Sequence, residues 1–504
     1  MKLKVRHYNV DTSEPTVLMN DSDCVELGVK ENDRVRVEGK GVATALVSRT
    51  DSLVKPGNIL MPSNTMAMSK VKAGDTVSVE YSPAPDSVRS IRKKMDNEIL
   101  NKDEIHGVVQ DILDNKLSKI EISAWLTSLY INGMCIDEIA DFTTAMVDTG
   151  ERVNFDRKPV FDFHSMGGVP GNKITPIVVS IVAAAGLMLP KTSSRAISSA
   201  CGTSDFVETF CNVSLDSERL KEVAEKTGGA LAWGGAMHLA PVDDLVIKIE
   251  HPLGINPRAQ MLASILSKKL AIGAEYLLID IPMGKGTKVP TLEIARTYAR
   301  DFMDLGEKLG MHIECAITYA DQPVGAAIGP NLEARECIRI LEGAEHPSSV
   351  AEKACDLAGI ILEMGGIRNG AQRAKDLLDS GEAMKKFREI VRAQDGNYDI
   401  KSDDLKPGMY MAEIKSPKSG YIHAINNKNI VTIARTAGSP NDKGAGIILH
   451  HKKGQRVEEG SVLFEIYADN ETKLKRAIEA AERHNPVDIE GMLIRHVMAP
   501  NVMR

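Results

Sequence analysis

Three segments of the chain carry residue types suited to holding an anionic substrate. The first, His164-Ser165-Met166-Gly167-Gly168-Val169-Pro170-Gly171-Asn172-Lys173, joins a short apolar strand pattern to an apolar helix pattern. Glycines at such a junction let backbone N–H groups approach an anion closely, and the following helix N-terminus adds positive potential. No Gly-Lys-Ser/Thr follows at the required spacing, so this is not a Walker A loop. The same residues would also serve as a plain tight turn.

The second segment, Thr192-Ser193-Ser194-Arg195-Ala196-Ile197-Ser198-Ser199-Ala200-Cys201-Gly202-Thr203, holds four serines, two threonines and one arginine in twelve residues. Hydroxyl donors and a guanidinium fork are what a phosphate ester needs, although a capped polar loop has the same composition. The third runs from His251-Pro252-Leu253-Gly254-Ile255-Asn256 through Ser264 to Lys268 and Lys269, followed by Gly284-Lys285-Gly286-Thr287-Lys288. Ser264, Ser267 and Lys268 share a helical face by i+3 and i+4 spacing. Taken alone, Lys268 and Lys269 read as a solvated helix end. The histidines show no metal-ligand spacing, and His450-His451 reads as a surface pair.

The elements that must position these segments follow from periodicity. DRVRVEG (33–39), VATALV (42–47) and DTVSVEYS (75–82) alternate apolar and polar residues between turn signals, which predicts a small β-barrel-like domain over 1–85. From Ser87 the period becomes helical, and Ser118 to Glu121 form a capping-box pattern opening a helix. From about residue 158 short strands alternate with helices: PVFDFHS, the helix 174–187, GLMLPK, EYLLIDIPMG, the helix 292–309 and HIECAITYA. That alternation predicts an α/β domain with a mostly parallel sheet. After Lys406-Pro407-Gly408 the pattern returns to strands, with a charged helix near 471–483, predicting a C-terminal α+β domain.

Composition bounds the function. The chain has 504 residues, enough for three or four domains. A formal net charge of −7 argues against a general nucleic-acid or anionic-membrane binder, and 4% aromatic content argues against base-stacking platforms. The seven cysteines are scattered and form no C-x-x-C pair, which reads as a reduced, intracellular protein. MKLKVRHYNV lacks the apolar run of a secretory signal, so the expected location is cytoplasmic. The apolar run 174–189 is too short to span a membrane and is expected to be a buried helix.

In this order the three segments resemble the nucleoside phosphorylase family that includes thymidine and pyrimidine-nucleoside phosphorylases, and within it the archaeal AMP phosphorylases. Trp233-Gly234-Gly235-Ala236, Met261-Leu262-Ala263-Ser264-Ile265, Thr287-Lys288-Val289-Pro290-Thr291, Glu314-Cys315-Ala316-Ile317-Thr318-Tyr319 and Pro440-Asn441-Asp442-Lys443-Gly444-Ala445-Gly446 fit the same pattern. The resemblance covers essentially the whole chain. It implies phosphorolysis of AMP, with CMP and UMP as further substrates, by inorganic phosphate to free base and ribose 1,5-bisphosphate. Matching motifs imply that Gly168, Ser194, Arg195, Ala196, Ile197, Ser198, Ser199, Thr203, Ser264 and Lys288 contact the nucleotide. Position 256 is where the departing base would be protonated. No metal or redox cofactor is implied, and a homodimer or larger homo-oligomer is.

The resemblance also implies a discontinuous helical domain (86–155 and 241–272) beside an α/β domain (156–240 and 273–408), with the C-terminal domain at 409–504 and the active site in the cleft. Two positions depart from the family pattern. Phe163 stands where members carry a phosphate-binding lysine, and Asn256 stands where they carry aspartate. An amide can hydrogen-bond a base but cannot titrate as a general acid. Two alternatives therefore stand beside AMP phosphorolysis: an impaired paralogue that binds nucleotide or phosphate as a regulatory or assembly subunit, and a phosphorylase of free thymidine or pyrimidine nucleosides.

Overall fold

The structure, a computed structural model, describes residues 1–492 apart from 11, 13, 197, 198 and 346. The chain divides into two compact units, Met1–Gly150 with Ala240–Ser267, and Glu151–Leu239 with Lys268 onward.

In the first unit six strands close into a barrel, in the order Lys2–Tyr8, Asn58–Pro62, Thr16–Asn20, Val42–Thr50, Arg34–Glu38, Thr76–Tyr81. The alternation read from the sequence is the cause: Val35 and Val37 point inward while Arg36 and Glu38 face water. Helices Ser87–Met95, Lys102–Leu113, Lys119–Asn132, Ile136–Asp148 and Pro241–Leu253 form the unit's second core, where Trp125 meets Phe142 edge-on with centroids 5.8 Å apart. The capping box forms as its sequence predicts: the Glu121 N–H donates to Ser118 Oγ, and the Ser118 N–H donates to the Glu121 carboxylate at 2.8 Å.

In the second unit His312–Tyr319, Tyr276–Met283 and Phe161–Ser165 form a three-stranded sheet whose pairs are both parallel. Leu189–Ser193 pairs in parallel with Gly229–Trp233, and a parallel bridge from Val160 to Met188 carries the run of strands across. The apolar run 174–189 contains the helix Thr175–Ala184, buried on every face except at its last residue. Its core partners come from Ser348–Met364 and Glu382–Ala393. Among the described residues no helix is long and apolar enough to cross a membrane. All seven cysteines are unbridged thiols.

The C-terminal part carries two antiparallel sheets and the helices Asn427–Thr436 and Glu471–His484 around its own apolar core. One strand of that assembly comes from far upstream. Ala327–Ile328 pairs antiparallel with Gly446–Leu449, and Ile328 is buried in the C-terminal core.

Candidate active site

The chemistry-bearing segments of the second unit lie beyond the C-terminal ends of its parallel strands, where an α/β sheet exposes its loops. Phe161–Ser165 leads into the glycine turn, and Gly167, Gly168 and Gly171 adopt φ of 76°, 85° and 74°. That left-handed backbone strains any side-chain-bearing residue, which is why the turn is built of glycine. Gly171 has a second reason: a Cβ there would lie 2.5 Å from the Val324 carbonyl oxygen. The turn is fastened by the Met166 N–H, which donates to the Asp280 carbonyl at 3.0 Å, and by Asn172 Nδ2, which donates to Ser165 Oγ at 2.9 Å. Among the described residues the buried Asn172 Oδ1 finds no hydrogen-bond donor.

Lys288 sits beside this turn. A Cβ added at Gly168 would lie 3.5 Å from Lys288 Cγ, in ordinary contact with the lysine stem. The loop carrying Lys288 is held by Thr287 Oγ1, which donates to the Gly284 carbonyl at 2.8 Å, and by the Gly284 N–H, which donates to Val289 O at 3.0 Å.

Beneath the turn lies a buried group that the sequence did not disclose. Lys269 Nζ pairs with Asp162 at 2.8 Å, and the two side chains are 2% and 0% exposed. The reading of Lys269 as a solvated helix end is therefore corrected: its helix carries it into the interior, where a carboxylate stabilises its charge. Lys191, from the adjacent strand, is also buried and points its ammonium at the Phe163 ring, 5.8 Å from the centroid. Burial first, then the neighbouring Lys269, hold Lys191 well below the ordinary lysine range.

Phe163 itself is packed in the α/β core, 1% exposed. The side chain at position 163 thus fills core, and Lys191 and Lys269 bring cationic groups to the same neighbourhood from a neighbouring strand and helix. His164 reports the resulting field. Its imidazole is held well below its usual pKa by burial, then by Lys269, Lys191, Lys288 and Lys268. Geometry ties two of these lysines together at the end of the neighbouring strand: Lys191 Nζ and Lys269 Nζ both donate to the Thr192 carbonyl, with Asp162 supplying a carboxylate to Lys269.

The second segment follows the strand Leu189–Ser193. The Arg195 fork is already engaged within the protein: Nη1 and Nη2 donate to Glu208 at 2.8 and 2.5 Å, and the guanidinium lies 4.7 Å from the centre of the Trp233 ring. The Arg195 hydrogen bonds, then Lys443, hold the Glu208 carboxyl at about 2. Asp205 Oδ2 accepts from the Ala196 N–H at 2.7 Å and the Gly202 N–H at 2.9 Å, closing the loop on itself. A side chain at Gly202 would meet the Ala196 nitrogen at 2.6 Å. Ser194 is exposed, and Ser199 Oγ donates to the Cys201 carbonyl at 3.0 Å. Thr203 opens the short helix Thr203–Val207. Ile197 and Ser198 lie outside the described residues.

Asn256 and Ser264 belong to the first unit. Ser264 Oγ donates to Asp243 Oδ2 at 2.8 Å, and Gln260 Nε2 donates to Asp243 Oδ1 at 3.0 Å. The buried Asp243 therefore fixes Ser264, a role that Pro241-Val242-Asp243-Asp244 alone does not reveal. Asn256 is exposed, just ahead of the helix Arg258–Ala271, with Nδ2 3.7 Å from Met261 Sδ.

Comparison with known proteins fits this architecture. Residues 88–150 match the glycosyl transferase family, helical bundle domain, and residues 157–384 the glycosyl transferase family, a/b domain. Residues 421–488 match the pyrimidine nucleoside phosphorylase C-terminal domain, and residues 1–89 the molydopterin dinucleotide binding domain. The fold is shared with anthranilate phosphoribosyltransferase from Thermus thermophilus, at a TM-score of 0.52 and 20% identity over 61% of this chain and 99% of that one. The class so defined is a glycosyl transferase scaffold with a nucleoside phosphorylase C-terminal domain.

Full-length relatives narrow the class. An AMP phosphorylase of Methanosarcina mazei is 47% identical over 99% of this chain and 98% of its own. One of Thermococcus kodakarensis is 48% identical over 99% of both chains, and AMP phosphorylase 1 of Archaeoglobus fulgidus is 47% identical over 95% of both. The chain belongs to the AMP phosphorylase family.

Proposed function

We propose that this protein cleaves AMP with inorganic phosphate, giving adenine and ribose 1,5-bisphosphate, and that CMP and UMP are further substrates. The observation that carries the reading is the placement of three lysines at the glycine turn and the strand leading into it: Lys288 beside Gly168, Lys191 over the Phe163 ring and Lys269 on Asp162. Two anions must be held near one sugar in this reaction, and their mutual repulsion must be offset by cations, hydroxyls and backbone amides. The names of the full-length relatives supply the substrate.

Chemically, a phosphate oxygen forms a bond to the anomeric carbon as the bond from that carbon to the base nitrogen breaks. The electron pair leaves with the base, which takes up a proton. The sugar passes through an oxocarbenium-like state, so the protein's main task is to hold phosphate in line and the 5′-phosphate fixed. We assign nucleotide contacts to Gly168, to the loop 194–199 with Thr203, to Ser264 and to Lys288. Arg195 acts there by holding the loop through Glu208. Inorganic phosphate is assigned to the lysine group around His164. Asn256 stands where the base is protonated and contributes a hydrogen bond only, so proton delivery falls to solvent and turnover is slow. Assembly as a homodimer or larger oligomer, and a cytoplasmic location, complete the proposal.

The test incubates the purified chain with AMP, with and without inorganic phosphate, and measures adenine and ribose 1,5-bisphosphate by chromatography. Phosphate-dependent release of both products is expected. Release from adenosine or thymidine in place of AMP would overturn the substrate assignment, and AMP binding without any product would leave a binding protein.

A further inference from the structure

The motif Pro440-Asn441-Asp442-Lys443-Gly444-Ala445-Gly446 has no part in the chemistry above, yet the structure ties it and the helix before it to the loop 194–203. Lys443 Nζ donates to Glu208 Oε2 at 3.1 Å and to the Asp205 carbonyl at 3.2 Å. Arg435 Nη1 donates to the Ser199 carbonyl at 3.2 Å, and Ser439 Oγ donates to the Ala200 carbonyl at 2.8 Å. Ala200 is fully buried within the apolar core of the C-terminal domain, among residues that include Ile430, Ile433 and Ala437. The loop is therefore plugged into the C-terminal domain by a side chain and hydrogen-bonded to it through successive carbonyls.

Charge adds a second argument. Glu208 is shared between Arg195 and Lys443, and Asp205 lies 3.5 Å from Arg195. Within this group two carboxylates are balanced by two cations. Removing Lys443 leaves one uncompensated negative charge at the base of a loop assigned to a dianionic phosphate, where like charges repel.

We propose that the C-terminal domain positions the nucleotide loop, with Arg435 and Lys443 as positioning residues that hold its backbone at Ser199 and Asp205 and keep its surroundings free of net negative charge. The proposal rests on the reading of 194–203 as a nucleotide-binding loop. It gives the C-terminal domain a role in substrate affinity.

The test compares the full-length protein with Lys443→Met and Lys443→Arg. Three quantities are measured: AMP affinity by calorimetry, hydrogen exchange of peptides spanning 194–203, and the melting temperature. Lys443→Met is expected to weaken AMP binding about tenfold and to speed exchange in those peptides by a similar factor, consistent with loss of a charge-assisted hydrogen bond. Lys443→Arg is expected to restore both, with melting temperatures alike in the three proteins. Unchanged exchange and affinity in Lys443→Met, or an arginine variant as impaired as the methionine one, overturns the proposal. Equal losses accompanied by a lowered melting temperature in both variants also overturn it, since the lysine would then be purely structural. Failure of the unaltered protein to bind AMP overturns the nucleotide reading instead, and the exchange measurement still decides whether Lys443 holds the loop.

Discussion

Lys269 and Asp162 meet 2.8 Å apart in the interior of the second unit, one from a helix and the other from a parallel strand, with 2% and 0% of their side chains exposed. Such a pair contributes little net stability against an apolar replacement, but stranding either partner is costly. Lys269→Met leaves Asp162 buried and unpaired, and is expected to destabilise the protein by about 3–5 kcal/mol. Denaturant unfolding of the single variant and of Lys269→Met with Asp162→Leu checks this: the double variant recovers much of the loss if the stranded charge is its cause.

The proposed function puts Asn256 at the position from which a general acid would protonate the departing base. Asn256→Asp is expected to raise phosphate-dependent adenine release by about 10²-fold or more, the usual contribution of a placed general acid. A rate unaltered by the substitution would mean that position 256 does not serve the leaving base.

His164 gives the protein a predictable pH response. Its folded-state pKa is depressed below the ordinary 6.5 by burial and four lysines, so the unfolded chain binds more protons. Its neutral form suits folding above about 6.5, and stability falls as pH drops below that value. His164→Gln is expected to flatten the stability curve between about pH 6.5 and 5, read as the urea midpoint across that range. An equally steep decline in the variant would remove His164 as the cause.

Glu208 works at lower pH. Its carboxyl is held at about 2 rather than 4.5, so its contribution is complete above 4.5 and is lost as pH falls toward 2. Glu208→Gln is expected to lose that part of the acid transition and, at neutral pH, to loosen the loop by weakening its hold on Arg195. Acid titration followed by circular dichroism, with hydrogen exchange of peptides 194–203, measures both effects.

Gly168 couples backbone and side chain in one residue. With φ at 85°, Gly168→Ala carries left-handed strain of about 1–2 kcal/mol in a turn whose added Cβ would touch Lys288 Cγ at 3.5 Å. A raised KM for AMP is expected, and an unchanged KM would separate Lys288 from the substrate.

Much of the local structure could be read directly. The Arg34–Glu38 alternation, the Ser118–Glu121 capping box and the apolar run around Thr175–Ala184 each obey rules that operate within a few residues. The motifs likewise identified which loops carry glycine, hydroxyl and lysine, because spacing along the chain fixes what a loop can present.

Tertiary structure decided the charges. Lys269 has the same neighbours in sequence whether it ends a solvated helix or pairs with Asp162, and only packing distinguishes the two. Phe163 reads as a lost cation until Lys191 is seen against its ring. Arg195 reads as a phosphate fork until Glu208 is found on it, together with a lysine from 235 residues downstream. Electrostatic energies depend on distance and burial, which are set by contacts between segments remote in the chain. The sequence by itself thus determined the elements, the loops and the family resemblance, whereas the fold determined which charged groups remain to meet a substrate and which are spent holding the site together.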